Sequence, residues 1–123
     1  MKIRIRENSL RIRITQSELK KLLDGNHVVS TINFPNGTQL TYGLSPTNTE
    51  TTTIQYLESI ISIRMGTLDI ETMGDEKSVG VQSIHNAGES TLNLLIEKDF
   101  ACLHQRGEDD KDTFPNPDKN QMS

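Results

Sequence analysis

The segment KIRIRENSLRIRIT, residues 2–15, decides the fold, because isoleucine or leucine alternates with a basic residue on both sides of a polar step. Alternation with a period of two residues is typical of a half-buried β-strand. The step Asn8-Ser9 suits a two-residue turn, since asparagine tolerates a positive φ. The segment therefore predicts an antiparallel hairpin with one aliphatic face and one basic face.

The register of this hairpin follows from the position of the turn. With the turn at residues 8–9, Ile3 lies opposite Ile14 and Arg4 lies opposite Arg13. The same register pairs Ile5 with Ile12, and Arg6 with Arg11. The predicted basic face thus carries four guanidinium groups, those of Arg4, Arg6, Arg11 and Arg13.

Two short helices are predicted from capping signals and apolar spacing. The first follows the hairpin over residues 16–24, since Thr15 and Glu18 have the spacing of a capping box and leucines recur behind them at helical intervals. The second covers residues 68–73, with Thr67 as its predicted cap.

A second hairpin is predicted with strands at 27–34 and 38–44, joined through Pro35-Asn36-Gly37. A three-residue loop pairs Ile32 with Leu40, whereas a two-residue turn would place Leu40 beside a polar residue. The apolar pattern therefore selects the three-residue loop.

Two further hairpins are predicted from alternating segments that flank turn residues. One turns at Glu58-Ser59, which pairs Ile54 with Ile63. The other has a turn-rich loop over 85–90. Their strands are predicted at 51–57 and 60–65, and at 78–84 and 91–97.

These elements predict an α+β fold, an antiparallel meandering sheet of about eight strands that can curl into a half-barrel, with two short helices. Residues 1–106 are predicted to form a single globular domain, and residues 107–123 an acidic, proline-containing arm or tail with little apolar content. No internal repeat is evident in the sequence.

Composition excludes several classes of protein. A chain of 123 residues has the length of one domain, and no apolar run reaches the roughly 20 residues of a membrane helix. No apolar leader segment is evident at the start of the chain. The single cysteine excludes an intrachain disulfide and suits a reducing compartment, so a cytoplasmic location is expected.

Three stretches carry a resemblance to a known family. They are MKIRIRENSLRIRITQSELKKLL at the start, the VGV segment after the second helix, and LLIEKDFACLH with EDDKDTFPNP at the end. The chain resembles a family of small uncharacterised bacterial proteins, a domain of unknown function. The resemblance implies a single-domain protein whose C-terminal arm belongs to the fold or the function, and it brings no activity, cofactor or catalytic residue.

The basic face needs a negative partner, because like charges directly opposite each other destabilise a strand pair. Arginine binds carboxylates and phosphates through its planar fork. The preferred source of negative charge is the chain's own tail, and the alternatives are a solvated face, an anionic ligand or a partner protein. The tail acids predicted to dock there are Glu108, Asp109, Asp110 and Asp112.

A metal site and a Cys–His catalytic pair have weaker support in the sequence. The Cys-X-His spacing predicts Cys102 and His104 on one side of a strand if the segment is extended, and acids follow in the sequence, but structural zinc generally takes four cysteine or histidine ligands. A mixed transition-metal site at Cys102 and His104 therefore stays an alternative. A Cys–His catalytic pair has no flanking signature, and no cofactor is predicted.

Nucleic-acid binding is excluded, because residues 1–33 contain no Phe, Tyr or Trp and the isoelectric point is about 5.3. The first choice of function is a non-catalytic protein-binding or assembly module, which includes self-association, with no nucleic acid or membrane as partner. The alternatives are an anion- or phosphate-handling enzyme that uses the arginine face, and a metal-binding accessory protein. The sequence does not decide whether the protein is an enzyme, and the shortage of catalytic motifs favours a non-catalytic protein.

Overall fold

A computed structural model describes residues 1–100 and 112–115, and it shows eight β-strands and two α-helices. Their order is β1 (Lys2–Arg6), β2 (Ser9–Ile14), α1 (Gln16–Leu23), β3 (Val28–Asn33), β4 (Gln39–Pro46), β5 (Thr53–Leu57), β6 (Ile60–Met65), α2 (Thr67–Gly74), β7 (Gly80–Ala87) and β8 (Ser90–Lys98).

The hairpin β1–β2 is present, but its predicted register is wrong by two residues. The turn lies at Glu7-Asn8, so that Ile3 pairs with Ile12 and Arg4 pairs with Arg11. Glu7 takes the positive φ of the turn, at 50°. The Asn8 side chain instead donates a hydrogen bond to a backbone carbonyl of β8. A shift of two residues leaves every side chain on its predicted face.

The other hairpins test how well turn chemistry sets register. The pairs Ile32–Leu40 and Ile54–Ile63 are confirmed, and Gly37 takes a φ of 85° in the three-residue loop. The long loop predicted over 85–90 is wrong, because β7 and β8 continue through it to a two-residue turn.

The helices follow the capping signals with one exception. Thr15 caps α1 in a complete capping box with Glu18. Thr67 does not cap α2, since Gly66 occupies the N-cap position. The hydroxyl of Thr52 accepts a hydrogen bond from the Gly66 N–H at 3.0 Å and itself donates to Asp69. The first N–H groups of α2 donate instead to backbone carbonyls of the loop between β4 and β5, Thr67 to Thr49 and Leu68 to Glu50.

The predicted single antiparallel sheet and half-barrel are corrected to two open, mixed sheets of four strands each. Sheet A has the order β1-β2-β8-β7, and sheet B has the order β3-β4-β6-β5. In each sheet two antiparallel hairpins meet through a parallel central pair, β2 with β8 and β4 with β6. Consecutive hairpins do not pair where α1 or α2 separates them, because each helix carries the chain from one sheet to the other.

One hydrophobic core joins both sheets and both helices. The inward positions of the central strands are buried, with Ile12 and Ile14 in sheet A and Leu44 and Ile63 in sheet B at most 1% exposed. The helices add Leu19, Leu22 and Met73 to the same cluster. The opposite surfaces of both sheets are therefore left for solvent or for partners.

The fold contains an internal structural repeat that the sequence reading missed. The first half runs β-β-α-β-β from β1 to β4, and the second half runs β-β-α-β-β from β5 to β8. The bounds of β1, β2 and α1 recur 51 residues later in β5, β6 and α2. Each sheet contains one hairpin from each half. If β1 to β4 are replaced by their counterparts β5 to β8, and the reverse, the strand order of sheet A becomes that of sheet B.

Candidate functional site

The basic residues of the N-terminal hairpin share the solvent side of sheet A. Cross-strand partners in a sheet share a face, and Lys2 lies opposite Arg13 while Arg4 lies opposite Arg11. The alternate residues of β2 point the other way into the core. We use the term basic face for the set Lys2, Arg4, Arg6, Arg11 and Arg13.

Two acidic residues from beyond the hairpin neutralise part of this face. The Arg11 Nε lies 2.8 Å from Glu97 Oε1, an ion pair without the alignment of a hydrogen bond. The Lys2 Nζ lies 3.1 Å from Asp99 Oδ2. The structure pairs none of the other three arginines with an acid among residues 1–100 and 112–115. Within residues 1–100 and 112–115, the face therefore keeps an excess of positive charge at Arg4, Arg6 and Arg13.

Shallow depressions lie between these side chains. One has a volume of about 250 Å³ and is lined by Lys2, Arg4, Arg11 and Arg13, together with Ile3. Another, of about 120 Å³, lies among Arg4, Arg6, Arg11 and Leu95, with Ser9 and Leu10. Their size suits carboxylate-bearing side chains better than a large organic ligand.

The internal repeat provides a comparison for the basic face. The corresponding positions in sheet B lie on the same solvent side and carry one basic residue among five: Thr53, Gln55, Leu57, Ser62 and Arg64. Both halves form the same hairpin with these different side chains. The fold of the hairpin therefore does not require the arginines.

The tail acids were predicted to dock on the basic face, and only one of them lies within the described residues. Asp112 sits at the start of α1, where its carboxylate accepts hydrogen bonds from the Ser17 N–H and from the Ser17 hydroxyl. The hydroxyls of Ser17 and Thr15 lower the pKa of Asp112. Its backbone carbonyl also accepts a bond from the Gln16 N–H at 2.8 Å. Glu108, Asp109 and Asp110 lie outside the described residues.

The candidate metal ligands Cys102 and His104 also lie outside the described residues. Within the part of the chain that the structure describes, no group of three or more histidine, cysteine or acidic side chains could hold a metal ion. The enzyme alternative required arginines that line an enclosed interior beside clustered carboxylates. The arginines instead lie on the outer surface of an open sheet.

The sequence reading missed three members of this site. Lys2 continues the alternation of Arg4 and Arg6, so the same periodicity could have identified it. Glu97 and Asp99 reach the face because β8 pairs in parallel with β2. A contact between residues so distant in the chain has no local sequence signal.

Comparisons with known proteins identify a family but no function. A family model described as a family of unknown function (DUF7009) matches residues 1–118. No curated protein and no solved structure matches the chain. None of the helices within the described residues is long and apolar enough to cross a membrane.

Proposed function

The chain belongs to DUF7009, a family of unknown function, and we propose from its geometry that it is a non-catalytic binding module. The basic face of sheet A binds an extended acidic segment of a partner protein, which lies alongside β1. The observation that carries this proposal is the positive charge at Arg4, Arg6 and Arg13, which no acid among the described residues pairs with, on a face whose structural counterpart in sheet B carries one basic residue.

The arrangement of the arginines favours an extended segment. Arg4 and Arg6 are two residues apart on β1, and Arg11 and Arg13 are two residues apart on β2. Side chains two residues apart on a strand are spaced by roughly 6.6–6.8 Å. An extended peptide with a carboxylate at every second position has the same spacing, so that each carboxylate meets one guanidinium.

The position of β1 supplies a backbone contact for such a segment. Among the described strands, β1 is at one end of sheet A and pairs on one side only, with β2. An exposed edge can accept an added strand through main-chain hydrogen bonds. A strand added there would alternate its side chains with those of β1 and place every second one on the basic face.

The surroundings of the basic face favour a protein over a nucleic acid. Leu95 of β8 lies beside Arg11 on the same face. Ile84, which is 66% exposed, lies on that face in the next strand, β7. No aromatic side chain lies on this face among the described residues to stack a base. Aliphatic side chains beside arginines match a partner segment that mixes acidic and apolar residues.

A peptide-binding experiment tests this proposal. The probe is a fluorescent decapeptide with glutamate alternating with valine, and the control peptide has glutamine in place of glutamate. An exposed ion pair contributes about 0.2–1 kcal/mol, so replacing Arg4, Arg6 and Arg13 by glutamine should weaken binding about 3- to 150-fold. The matched control compares Arg64→Gln with Arg13→Gln alone, since each removes one charge at equivalent positions of the two sheets.

The outcomes separate the possible partners. The proposal requires that the glutamate peptide binds, that the glutamine peptide binds more weakly, and that added salt removes the difference. Equal affinity for both peptides, or an equal loss in Arg64→Gln, would contradict it. Tighter binding of a single-stranded oligonucleotide of the same charge would replace the protein partner with a nucleic acid.

A further inference from the structure

A second site lies away from the basic face, at the end of sheet A next to both helices. A cleft of about 650 Å³ opens there between α1, the end of α2 and the last residues of β8. Most of its wall is apolar, formed by Leu19, Met73, Val79, Phe100, Phe114 and Pro115. Small-molecule sites in proteins commonly have this size and this kind of lining.

A buried ammonium group lies in this cleft. Lys98 is the last residue of β8 and is only 5% exposed, because it continues the inward-facing row of Leu94 and Ile96. Its Nζ donates one hydrogen bond, to the Asp75 carbonyl at 2.8 Å, and lies 5.4 Å from the centre of the Phe114 ring. Burial lowers the pKa of Lys98, against the opposing effect of Asp75 and Glu76.

The charge of Lys98 has no carboxylate partner among the residues that the structure describes. An ammonium group has three N–H donors, and a single carbonyl satisfies one of them. A buried charge without an ion pair destabilises a folded protein unless a counter-ion binds next to it. The cleft therefore presents a buried ammonium group that makes no ion pair with the described residues, although Asp75 and Glu76 lie near enough to oppose the lowering of its pKa.

A second polar group, in the wall of the cleft, has no hydrogen-bond partner among the described residues. The hydroxyl oxygen of Ser78 is buried and makes no hydrogen bond with the described residues. Such orphan groups are rare in folded proteins, and an ordered water or a bound ion is a common partner for them. A carboxylate accepts hydrogen bonds from hydroxyl and ammonium groups such as these.

The internal repeat shows that the fold does not need the lysine. Lys98 pairs with Ile14 at the end of the parallel central pair of sheet A, and Pro46 pairs with Met65 at the same place in sheet B. A proline ends that strand without a charge. The ammonium group is thus present in the second half only, where it lines a cleft formed by residues of both halves.

We propose that this cleft binds a small organic monocarboxylate with an aromatic or branched apolar body, which pairs with Lys98 and accepts a hydrogen bond from Ser78. The apolar body lies against Phe100 and Phe114, whose ring centres are 5.9 Å apart. A doubly charged phosphate fits less well, because Glu76 also lines the cleft and opposes a second negative charge. This site is separate from the basic face and does not depend on the function proposed for it.

A ligand titration of the full chain tests the proposal. The probes are 3-phenylpropionate and its neutral amide, which has the same shape, and binding is followed by ¹H–¹⁵N NMR spectra. We expect the carboxylate to bind about tenfold more tightly than the amide, as hydrogen bonds to charged groups are the stronger ones. The carboxylate should shift the signals of residues 74–79 and 98–100.

Variants distinguish the charge from the apolar wall. Lys98→Met keeps the length of the side chain and should bind both probes equally, with the affinity of the amide. Ser78→Ala should weaken carboxylate binding severalfold and leave the amide unchanged. The matched control Lys77→Met removes a charge from an exposed residue of the same wall and should retain the preference.

Three results would overturn this proposal. The first is equal affinity of the native chain for the carboxylate and the amide, a comparison that does not depend on whether any variant folds. The second is a carboxylate preference that Lys98→Met retains. The third is saturable binding of inorganic phosphate at Lys98 without binding of the carboxylate, which would change the ligand class.

Discussion

Replacing Arg4 by glutamine should stabilise the free protein while it weakens binding. Arg4 lies directly opposite Arg11, and side chains in this position are about 5 Å apart at Cβ. Two unit charges at that distance would repel each other by about 0.8 kcal/mol in water, which is an upper limit because the guanidinium groups extend beyond Cβ and can spread apart. Glu97 offsets part of the charge of Arg11, so we expect a gain of about 0.3–0.8 kcal/mol at low salt. Glutamine is the residue at the equivalent position 55, so the strand accepts it.

The assay is urea unfolding followed by circular dichroism, because the chain has no tryptophan to report by fluorescence. Native and Arg4→Gln proteins are compared at low ionic strength and at 1 M salt, where the screening length falls to about 3 Å. The matched control is Arg64→Gln, since Arg64 lies opposite Thr53 and loses no like-charge contact. A loss of stability in Arg4→Gln, or a gain that persists undiminished at 1 M salt, would refute the reasoning about this face.

Substitutions at two further positions test how the helix N-termini are stabilised, Gly66 for α2 and Asp112 for α1. Gly66→Ala should lower stability by about 2 kcal/mol or more, since a Cβ there would lie 2.2 Å from the Glu50 carbonyl oxygen. The control is Gly74→Ala, where the new Cβ meets only a flexible side chain, so it should be neutral or stabilising. Thermal unfolding measures both. Asp112→Asn should cost about 0.3–1 kcal/mol at pH 7. Because the pKa of Asp112 is lowered, its contribution is complete above the ordinary carboxyl pKa and disappears as pH falls through the lowered value, so the two proteins should have equal stability in strong acid.

Local chemistry explains which parts of the fold were predictable. The capping box of Thr15 and Glu18, and the loop at Gly37, depend on residues a few positions apart, and the structure confirms both. The register of β1–β2 was wrong because its alternation is unchanged by a shift of two residues, and Glu7 has no intrinsic preference for the positive φ that it adopts.

Non-local pairing explains what the sequence did not reveal. The buried row of β2 predicts burial but not that β8 lies beside it in parallel, so the contacts of Glu97 could not be foreseen. Two patterns in the sequence do indicate features of the structure that were not predicted, the burial of Lys98 and the internal repeat. Lys98 extends an alternating apolar row, which marks it as inward-facing, and Ile12-Arg13 recurs as Ile63-Arg64 at the repeat distance.

The exchange of hairpins between the halves has a consequence for biosynthesis. Sheet B is built from β3 to β6, which are contiguous in the chain, and it can form as soon as Met65 has left the ribosome. Sheet A joins the first hairpin to the last, so the inner edge of β2 waits unpaired until β8 has been synthesised. During that interval, the arginines and Lys2 keep the nascent hairpin charged and discourage other chains from pairing with it.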